Sequence, residues 1–223
     1  NFLRCPRCFY LDRRLGVDVP SGPPFSINIA VDTLLKREFD GYREAGEPHP
    51  YMIEAGIEAL PAQHAQLDEW RENFKGVKFL HESANIEVQG AIDDLWLGAD
   101  GLYVVADYKA TAKKDEVNLD ADWQISYKRQ MEIYQWLLRR NGLKVSDRSW
   151  FVYCNGCVDA ESFQKRVDFR VSMLPYDGDD SWVGPAIIEA ANTLRSDRIP
   201  EGADNCKLCT YRSDAIRVET QQH

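Results

Sequence analysis

A two-strand hairpin pattern in the middle of the chain constrains its fold more than any other feature. Apolar residues alternate up to Leu97, the turn Ala99-Asp100-Gly101 reverses the chain, and a second strand runs from Leu102 through Ala106. Asp107-Tyr108-Lys109 continues this second strand, opposite the start of the first. The pattern therefore brings polar residues from both ends of the hairpin together on one sheet.

The faces of these strands decide which carboxylates meet. Asp107 and Lys109 are two residues apart, so their side chains project from the same face. A turn centred on Asp100 would place Asp93 opposite Asp107, with Cβ atoms about 5 Å apart. A two-residue turn would shift the register by one and bring Asp94 there instead. Periodicity leaves both registers open.

Two carboxylates at this spacing repel each other unless a cation takes up their charge. Hard divalent cations such as Mg²⁺ prefer oxygen ligands. The hairpin therefore predicts a hydrolytic metal site.

The order of these residues resembles the PD-(D/E)XK nuclease superfamily, in which a carboxylate is followed on the next strand by carboxylate-x-lysine. The family pattern Gly-x-x-Asp, matched here from Gly90, selects Asp93 over Asp94. Gln130 and Tyr134 resemble the Gln-x-x-x-Tyr motif of the RecB-like and CRISPR-associated exonuclease branch. A metal-dependent DNA exonuclease is the function that this resemblance implies.

The resemblance also implies roles for individual residues. Asp93 and Asp107 would hold Mg²⁺ or Mn²⁺ together with the carbonyl of Tyr108, and Lys109 would orient or deprotonate the attacking water. Gln130 and Tyr134 would hold Lys109 or the DNA strand in place. The family often presents a histidine from an earlier helix, and Asp32 stands at a matching place. It is either an additional oxygen ligand or an exposed helix residue.

Six cysteines form three C-x-x-C pairs, and pairs of this kind in a cytosolic protein indicate soft-metal ligands. Cys5, Cys8, Cys206 and Cys209 supply four thiolates, enough for a tetrahedral Zn²⁺ or a cubane cluster. The resemblance favours a [4Fe-4S] cluster, although Ala215 occupies the place of the last family cysteine and Cys8 is an addition. The third pair, Cys154 and Cys157, reads as two incidental thiols, with a redox or metal role left open.

The order of predicted elements is helix, hairpin, helix, strands, helix, which indicates an α/β protein with a mixed central sheet flanked by helices. This is the restriction-endonuclease-like core. We expect one PD-(D/E)XK nuclease domain over residues 1–223, with the nuclease core at 25–199. The terminal segments 1–24 and 200–223 would be joined by the cysteine metal centre, and we call these two segments the cysteine staple. Helices are predicted at 27–43, 63–74 and 122–140, and strands at 79–88 and 163–171.

A net charge of −9 argues against a protein that coats nucleic acid through a general positive field. Contacts with DNA would instead be local, and the candidates are Arg4, Arg7, Lys113, Lys114 and Lys128. The resemblance implies DNA that is single-stranded or has free ends, delivered by a helicase- or integrase-type partner. Rival functions are a non-catalytic DNA-end-binding subunit and a zinc-stapled nucleic-acid-binding scaffold.

The sequence contains no long apolar stretch and no charged-then-apolar leader. We therefore expect a cytoplasmic protein without a membrane partner. The first residue is Asn rather than Met, which leaves open where the natural chain starts.

Overall fold

The computed structural model describes residues 1–19, 22 and 26–221. Residues 20, 21, 23–25, 222 and 223, which include the ends of both predicted staple segments, lie outside the described residues. The chain forms two compact units. The larger spans Pro24–Leu80 and Glu87–Val183, and the smaller combines Asn1–Pro23, His81–Ile86 and Gly184–His223.

The larger unit is built on a five-stranded sheet in the order β1-β4-β5-β6-β7. These strands are β1 (Ala59–Pro61), β4 (Asp94–Gly98), β5 (Tyr103–Thr111), β6 (Arg148–Gly156) and β7 (Phe169–Asp177). The pair β5 and β6 is parallel and the other neighbours are antiparallel, so the sheet is mixed. The predicted α/β architecture is confirmed.

Helices of the larger unit are α2 (Ser26–Ala45), α3 (Pro50–Glu54), α4 (Leu67–Trp70) and α5 (Ile125–Arg140). The helix α5 carries the chain from β5 to β6, as a parallel strand pair requires a long crossover connection. One apolar core joins α2 to the sheet through Leu35 and Phe39 on the helix and Trp96 and Val152 on the strands. A 3₁₀ turn at Asp122–Gln124 precedes α5.

The register of the central hairpin is settled by its ladder. Asp94 lies opposite Ala106 and Leu97 opposite Tyr103, so the turn is centred on Asp100. Gly101 closes the turn with a φ of 77°, a left-handed conformation that favours glycine. Of the two registers that the sequence left open, the structure has the one that continues with Asp93 opposite Asp107.

Three predicted elements differ from the structure because local turns interrupt them. The helix predicted at 63–74 shrinks to Leu67–Trp70, since the Glu72 and Lys75 amides bond to carbonyls three residues back rather than four. The strand predicted at 79–88 is a hairpin of β2 (Val77–His81) and β3 (Ile86–Gly90), turned by Asn85 at φ 53°. The strand predicted at 163–171 begins only at Phe169, after two left-handed residues, Gln164 and Lys165.

The smaller unit contains α1 (Pro6–Leu15), α7 (Lys207–Thr220) and all but the first residue of α6 (Val183–Arg195). Tyr10 on α1 donates its hydroxyl to the carbonyl of Ser196 at 2.8 Å. Arg14 donates to the Asp197 carboxylate at 2.9 Å, so α1 is tied to the segment after α6. No helix in the described ranges combines the length and apolar character needed to cross a bilayer.

Candidate active site and candidate metal centre

Asp107 is the most deeply placed acidic group of the candidate active site. It lies on the central strand β5 and only 1% of its surface is exposed. Its Oδ2 atom forms an ion pair with Lys109, whereas Oδ1 is buried and accepts no hydrogen bond from the described part of the chain. Burying a carboxylate oxygen without a hydrogen-bond donor costs folding free energy, and a bound cation would offset this cost. The Oδ1 atom is therefore suited to bind a cation.

Asp93 precedes β4 and presents its carboxylate to the same region. Its Oδ2 atom accepts the backbone N–H of Tyr108 at 2.8 Å. Burial, followed by the charge of Asp107, raises the pKa of Asp93 to about 7. Burial likewise raises the pKa of Asp107. Both carboxylates therefore resist carrying their negative charges at the same time without a further cation, and the donor set fits a hard divalent cation.

Lys109 is held between the acidic pair and helix α5. Besides its ion pair with Asp107, its ammonium donates to Gln130 Oε1 at 3.4 Å and lies 4.7 Å from the centre of the Tyr127 ring. Burial works against the charged form, but the charges of Asp107 and Asp93 raise the pKa of Lys109. The amine is therefore a positioned ammonium group in this arrangement.

Gln130 and Tyr134 form the next layer, four residues apart on one face of α5. The Gln130 Nε2 atom donates to the Tyr134 hydroxyl at 2.5 Å, which fixes the amide so that its oxygen faces Lys109. Tyr134 packs directly on the strand at Gly90, where an added Cβ would stand 2.8 Å from its ring. Gly90 thus permits the close approach that brings α5 to the site.

Asp94 is adjacent to Asp93 in sequence but has a different environment. It is fully buried and accepts hydrogen bonds from five donors. These donors are the guanidinium groups of Arg43 and Arg71, the backbone N–H of Leu95, the Trp96 indole and the Tyr108 hydroxyl. Its carboxylate is committed to holding the fold.

Asp32 lies on α2 and forms an ion pair with Lys36 at 2.9 Å. The same ammonium is 3.7 Å from Asp93 Oδ1. Among the described residues, the four terminal cysteines form a group of three or more close metal-ligand atoms, and Asp32, Asp93 and Asp107 do not. Lys36 thus intervenes between the predicted helix ligand and the strand carboxylates.

Sequence reasoning missed Lys36, Arg43 and Arg71. The spacing of Lys36 from Asp32, one helical turn, was a signal for a paired charge on α2. The two arginines reach Asp94 from residues 51 and 23 positions away along the chain, and no local pattern marks such contacts.

The predicted DNA-contacting residues fall into two groups. In the larger unit, Lys113 Nζ lies 5.4 Å from the Trp123 ring centre and Lys128 Nζ lies 6.0 Å from that of Tyr176. The Asn155 side chain fixes the backbone of Lys113 by accepting from its N–H and donating to its carbonyl. Lys114 is exposed. Arg4 and Arg7 belong to the smaller unit, beside the first cysteine pair.

The smaller unit brings together the four cysteines of the two terminal pairs. Their Sγ atoms lie within 4.8 Å of one another, and three of the separations are 3.6–3.7 Å. Cys5 and Cys206 occupy the N-cap positions of α1 and α7, and Cys8 and Cys209 lie in the first turns. Burial opposes the thiolate of Cys5, yet amide donors from Ala203 and Cys8 lower its pKa to about 6, whereas burial raises the pKa of Cys8 and of Cys209. This group fits a thiolate-bound metal.

The middle C-x-x-C pair is not part of that group in the described chain. Cys154 lies in the apolar core of the larger unit with 3% exposure, and burial raises its pKa to about 11. Such a thiol behaves as a small apolar side chain.

The sheet is mixed and flanked by helices, with Asp107 and Lys109 on its central strand and Asp93 just before the neighbouring strand. These features define an α/β protein with a restriction-endonuclease-like fold. The sequence model of the PD-(D/E)XK nuclease superfamily matches residues 1–213, and the chain belongs to this superfamily. Membership indicates nuclease chemistry on a nucleic acid with the help of a divalent metal.

Other comparisons give remote similarity or none. No curated protein gives a significant sequence match. Among solved structures, the chain is similar to the one titled "Crystal structure of SSO0001", with 12% identity and a TM-score of 0.34 over 87% of each chain. A likeness this remote carries no weight for the assignment.

Proposed function

We propose that this protein is a Mg²⁺- or Mn²⁺-dependent deoxyribonuclease that acts on single strands or free ends. The observation that carries the proposal is the buried Asp107 carboxylate, which has one oxygen without a hydrogen-bond donor and lies close enough to Asp93 for its charge to raise the pKa of Asp93. Lys109 stands beside it as an ammonium group. Membership of the superfamily indicates the class of reaction, and Asp93, Asp107 and Lys109 are the residues that would carry it out.

Asp93, Asp107 and the carbonyl of Tyr108 would hold the divalent cation. When bound, the cation polarises the scissile phosphate and lowers the pKa of an attacking water. Lys109, fixed by Asp107 and Gln130, donates a hydrogen bond that orients this water and offsets charge on the pentacovalent transition state. The ion pair favours the orienting role of Lys109 over direct proton abstraction.

The positioning residues come from the two helices that flank the site. Gln130 and Tyr134 hold Lys109 through a hydrogen-bonded chain along α5. Asp32 holds the Lys36 ammonium near Asp93, so it could ligate a metal only after Lys36 moves away. We therefore assign Asp32 first to orienting Lys36, with direct metal ligation as the alternative.

Substrate contacts in this proposal are local, because the chain as a whole is acidic. The side chains assigned to DNA contacts are Arg4, Arg7, Lys113, Lys114 and Lys128. Exposed Trp123, beneath Lys113, adds an aromatic surface of the kind on which unpaired bases stack. A helicase- or integrase-type partner would deliver such DNA in the cytoplasm.

The test is cleavage of DNA labelled at either end, offered as a linear single strand, a linear duplex and a covalently closed circle. We expect Mg²⁺ or Mn²⁺ to support cleavage of the linear single strand and EDTA to stop it, while the circle resists. The Asp107→Asn variant is the matched control, because it keeps the side-chain shape. DNA binding without cleavage in either metal would instead identify a non-catalytic end-binding subunit. Cleavage of RNA alone would contradict the DNA assignment.

The domain organisation also belongs to this proposal. We assign residues 1–223 to one nuclease domain in which a cysteine-bound metal centre joins the N- and C-terminal segments. A cross-link between residues about two hundred positions apart removes unfolded-chain entropy worth roughly 5 kcal/mol, by analogy with a disulfide.

A further inference from the structure

We infer that Cys5, Cys8, Cys206 and Cys209 bind one tetrahedral Zn²⁺ ion, in place of the [4Fe-4S] cluster that the family resemblance implies. The identity of the metal at the cysteine centre does not depend on the nuclease reaction.

The spacing of the sulfur atoms carries the inference. Zinc–thiolate bonds of about 2.3 Å in a tetrahedron place the sulfurs about 3.8 Å apart. The structure has Sγ separations of 3.6 Å for Cys8–Cys206 and Cys8–Cys209, and 3.7 Å for Cys5–Cys209. In a [4Fe-4S] cubane, each cysteine binds a different iron atom. The cysteine Sγ atoms are therefore farther apart than they are around a single zinc ion. The observed spacing fits one small ion.

The arrangement of the two cysteine pairs is also that of a zinc site. Each pair begins at a helix N-cap, Cys5 for α1 and Cys206 for α7, and places its second thiol in the first turn. Two such knuckles facing each other present four sulfurs to a common centre.

The surrounding chain holds the sulfurs at this separation. The backbone N–H of Ala203 donates to Cys5 Sγ at 3.5 Å, and an added Cβ at Gly202 would stand 3.0 Å from Cys209 Sγ. Helix α1 is further anchored by Tyr10 to the carbonyl of Ser196. A cubane would need the two knuckles to move apart against these contacts, whereas a single ion fits them in place.

The first experiment identifies the metal in the full-length protein, purified without oxygen from cells supplied with both iron and zinc. We expect about one zinc per chain, no acid-labile sulfide and no absorbance band at about 400 nm. Iron and sulfide in equal amounts together with that band would overturn the inference. Incubation with ferrous iron and sulfide should leave the zinc bound, and formation of a stable cluster at its expense would also overturn it.

The second experiment tests the ligands. Cobalt substituted into the wild-type protein should give the visible spectrum of tetrahedral cobalt bound to thiolates, and an octahedral cobalt spectrum would contradict the site. Cys8→Ser and Cys206→Ser should lose zinc and thermal stability. The matched control is Cys157→Ser, a half-buried thiol outside the cluster, which should keep both. If Cys8→Ser or Cys206→Ser fails to fold, the metal content and cobalt spectrum of the wild-type protein still show whether the cysteines bind zinc.

Discussion

Tyr108 donates hydrogen bonds to both Asp93 and Asp94, and so links two neighbouring carboxylates with different roles. Its backbone N–H reaches Asp93 Oδ2 and its hydroxyl reaches Asp94 Oδ2, each at 2.8 Å. The first bond orients a carboxylate of the candidate metal site. The second ties the same tyrosine to the buried pairing of Asp94 with Arg43 and Arg71. The geometry of the site therefore depends on a charge network behind it.

Replacing Asp107 or Lys109 with Ala should abolish cleavage while leaving the fold intact. Asp107→Ala removes a metal ligand and Lys109→Ala removes the group that orients the water, so each should lower the rate at least ~10²-fold. The two variants should differ in thermal melts with added Mg²⁺. The metal should stabilise Lys109→Ala as it stabilises the wild type, but not Asp107→Ala. Full cleavage activity in both variants would exclude this site.

Replacing Asp94 with Ala should unfold or strongly destabilise the protein. From the sequence alone, the Asp94→Ala variant is expected to have nearly normal cleavage activity, because only one of the two aspartates is needed as a metal ligand. The structure changes that expectation, since the substitution removes the fully buried carboxylate that pairs with Arg43 and Arg71 and leaves them only the half-exposed Asp40 carboxylate. Breaking a buried ion pair on one side costs about 3–5 kcal/mol. Urea unfolding should show this loss.

The matched variant is Asp93→Ala, which should lose cleavage and keep its unfolding midpoint. An Asp94→Ala protein as stable as the wild type would contradict the assigned role of the buried network. A fully active Asp93→Ala protein would remove Asp93 from the metal site.

Replacing Gly90 with Ala should lower cleavage activity through helix α5. The added Cβ would stand 2.8 Å from the Tyr134 ring, so the ring must shift, and with it the hydrogen bond to Gln130. Overpacking of this kind costs about 1–3 kcal/mol of stability. Misplacement of Lys109 by about 1 Å could cost up to about 10²-fold in rate. Steady-state kinetics on single-stranded DNA measure the effect.

The control for Gly90 is Gly41→Ala on α2, where the added Cβ meets nothing within 4 Å. This helix substitution should be neutral or stabilising and should leave activity unchanged. Tyr134→Phe removes only the hydroxyl and measures how much of the effect passes through Gln130. Wild-type kinetics in Gly90→Ala would show that the close packing of Tyr134 is dispensable.

The sequence predicts the central hairpin and its candidate residues because strand alternation and turn chemistry are local. Asp107 and Lys109 share a face in any register, and α5 follows from its apolar stripe. The choice between Asp93 and Asp94 requires the observed hydrogen-bonding register of β4 and β5. A shift of one residue in this register would move each side chain to the opposite face of the sheet.

Other features depend on contacts that no local pattern records. Arg43 and Arg71 reach Asp94 from distant elements. Helix α7 was not predicted, and each of its residues remains at least partly exposed, so burial imposes no apolar stripe on it. Asn85 divides a predicted strand because a single residue with positive φ is enough to start a hairpin turn.

Acid should destabilise the protein in part through His49. This residue is fully buried, stacks on Phe39 with ring centres 4.1 Å apart, and accepts the backbone N–H of Tyr51 through Nδ1. Burial lowers its pKa below the ordinary value of 6.5, so below pH 6.5 the unfolded chain binds a proton that the folded protein resists. The His49 contribution to stability is therefore fully present above pH 6.5 and is lost as the pH falls from 6.5 through the lower pKa of the folded state. The Asn side chain of His49→Asn keeps a hydrogen-bond acceptor at the start of α3 but does not titrate. The variant therefore separates the His49 contribution from that of His64, whose pKa burial also lowers.

The free energy of unfolding in urea, measured with EDTA from pH 7.5 down to pH 5.5, should fall more for the wild type than for His49→Asn. Parallel curves for the two proteins would show that His49 does not sense acid.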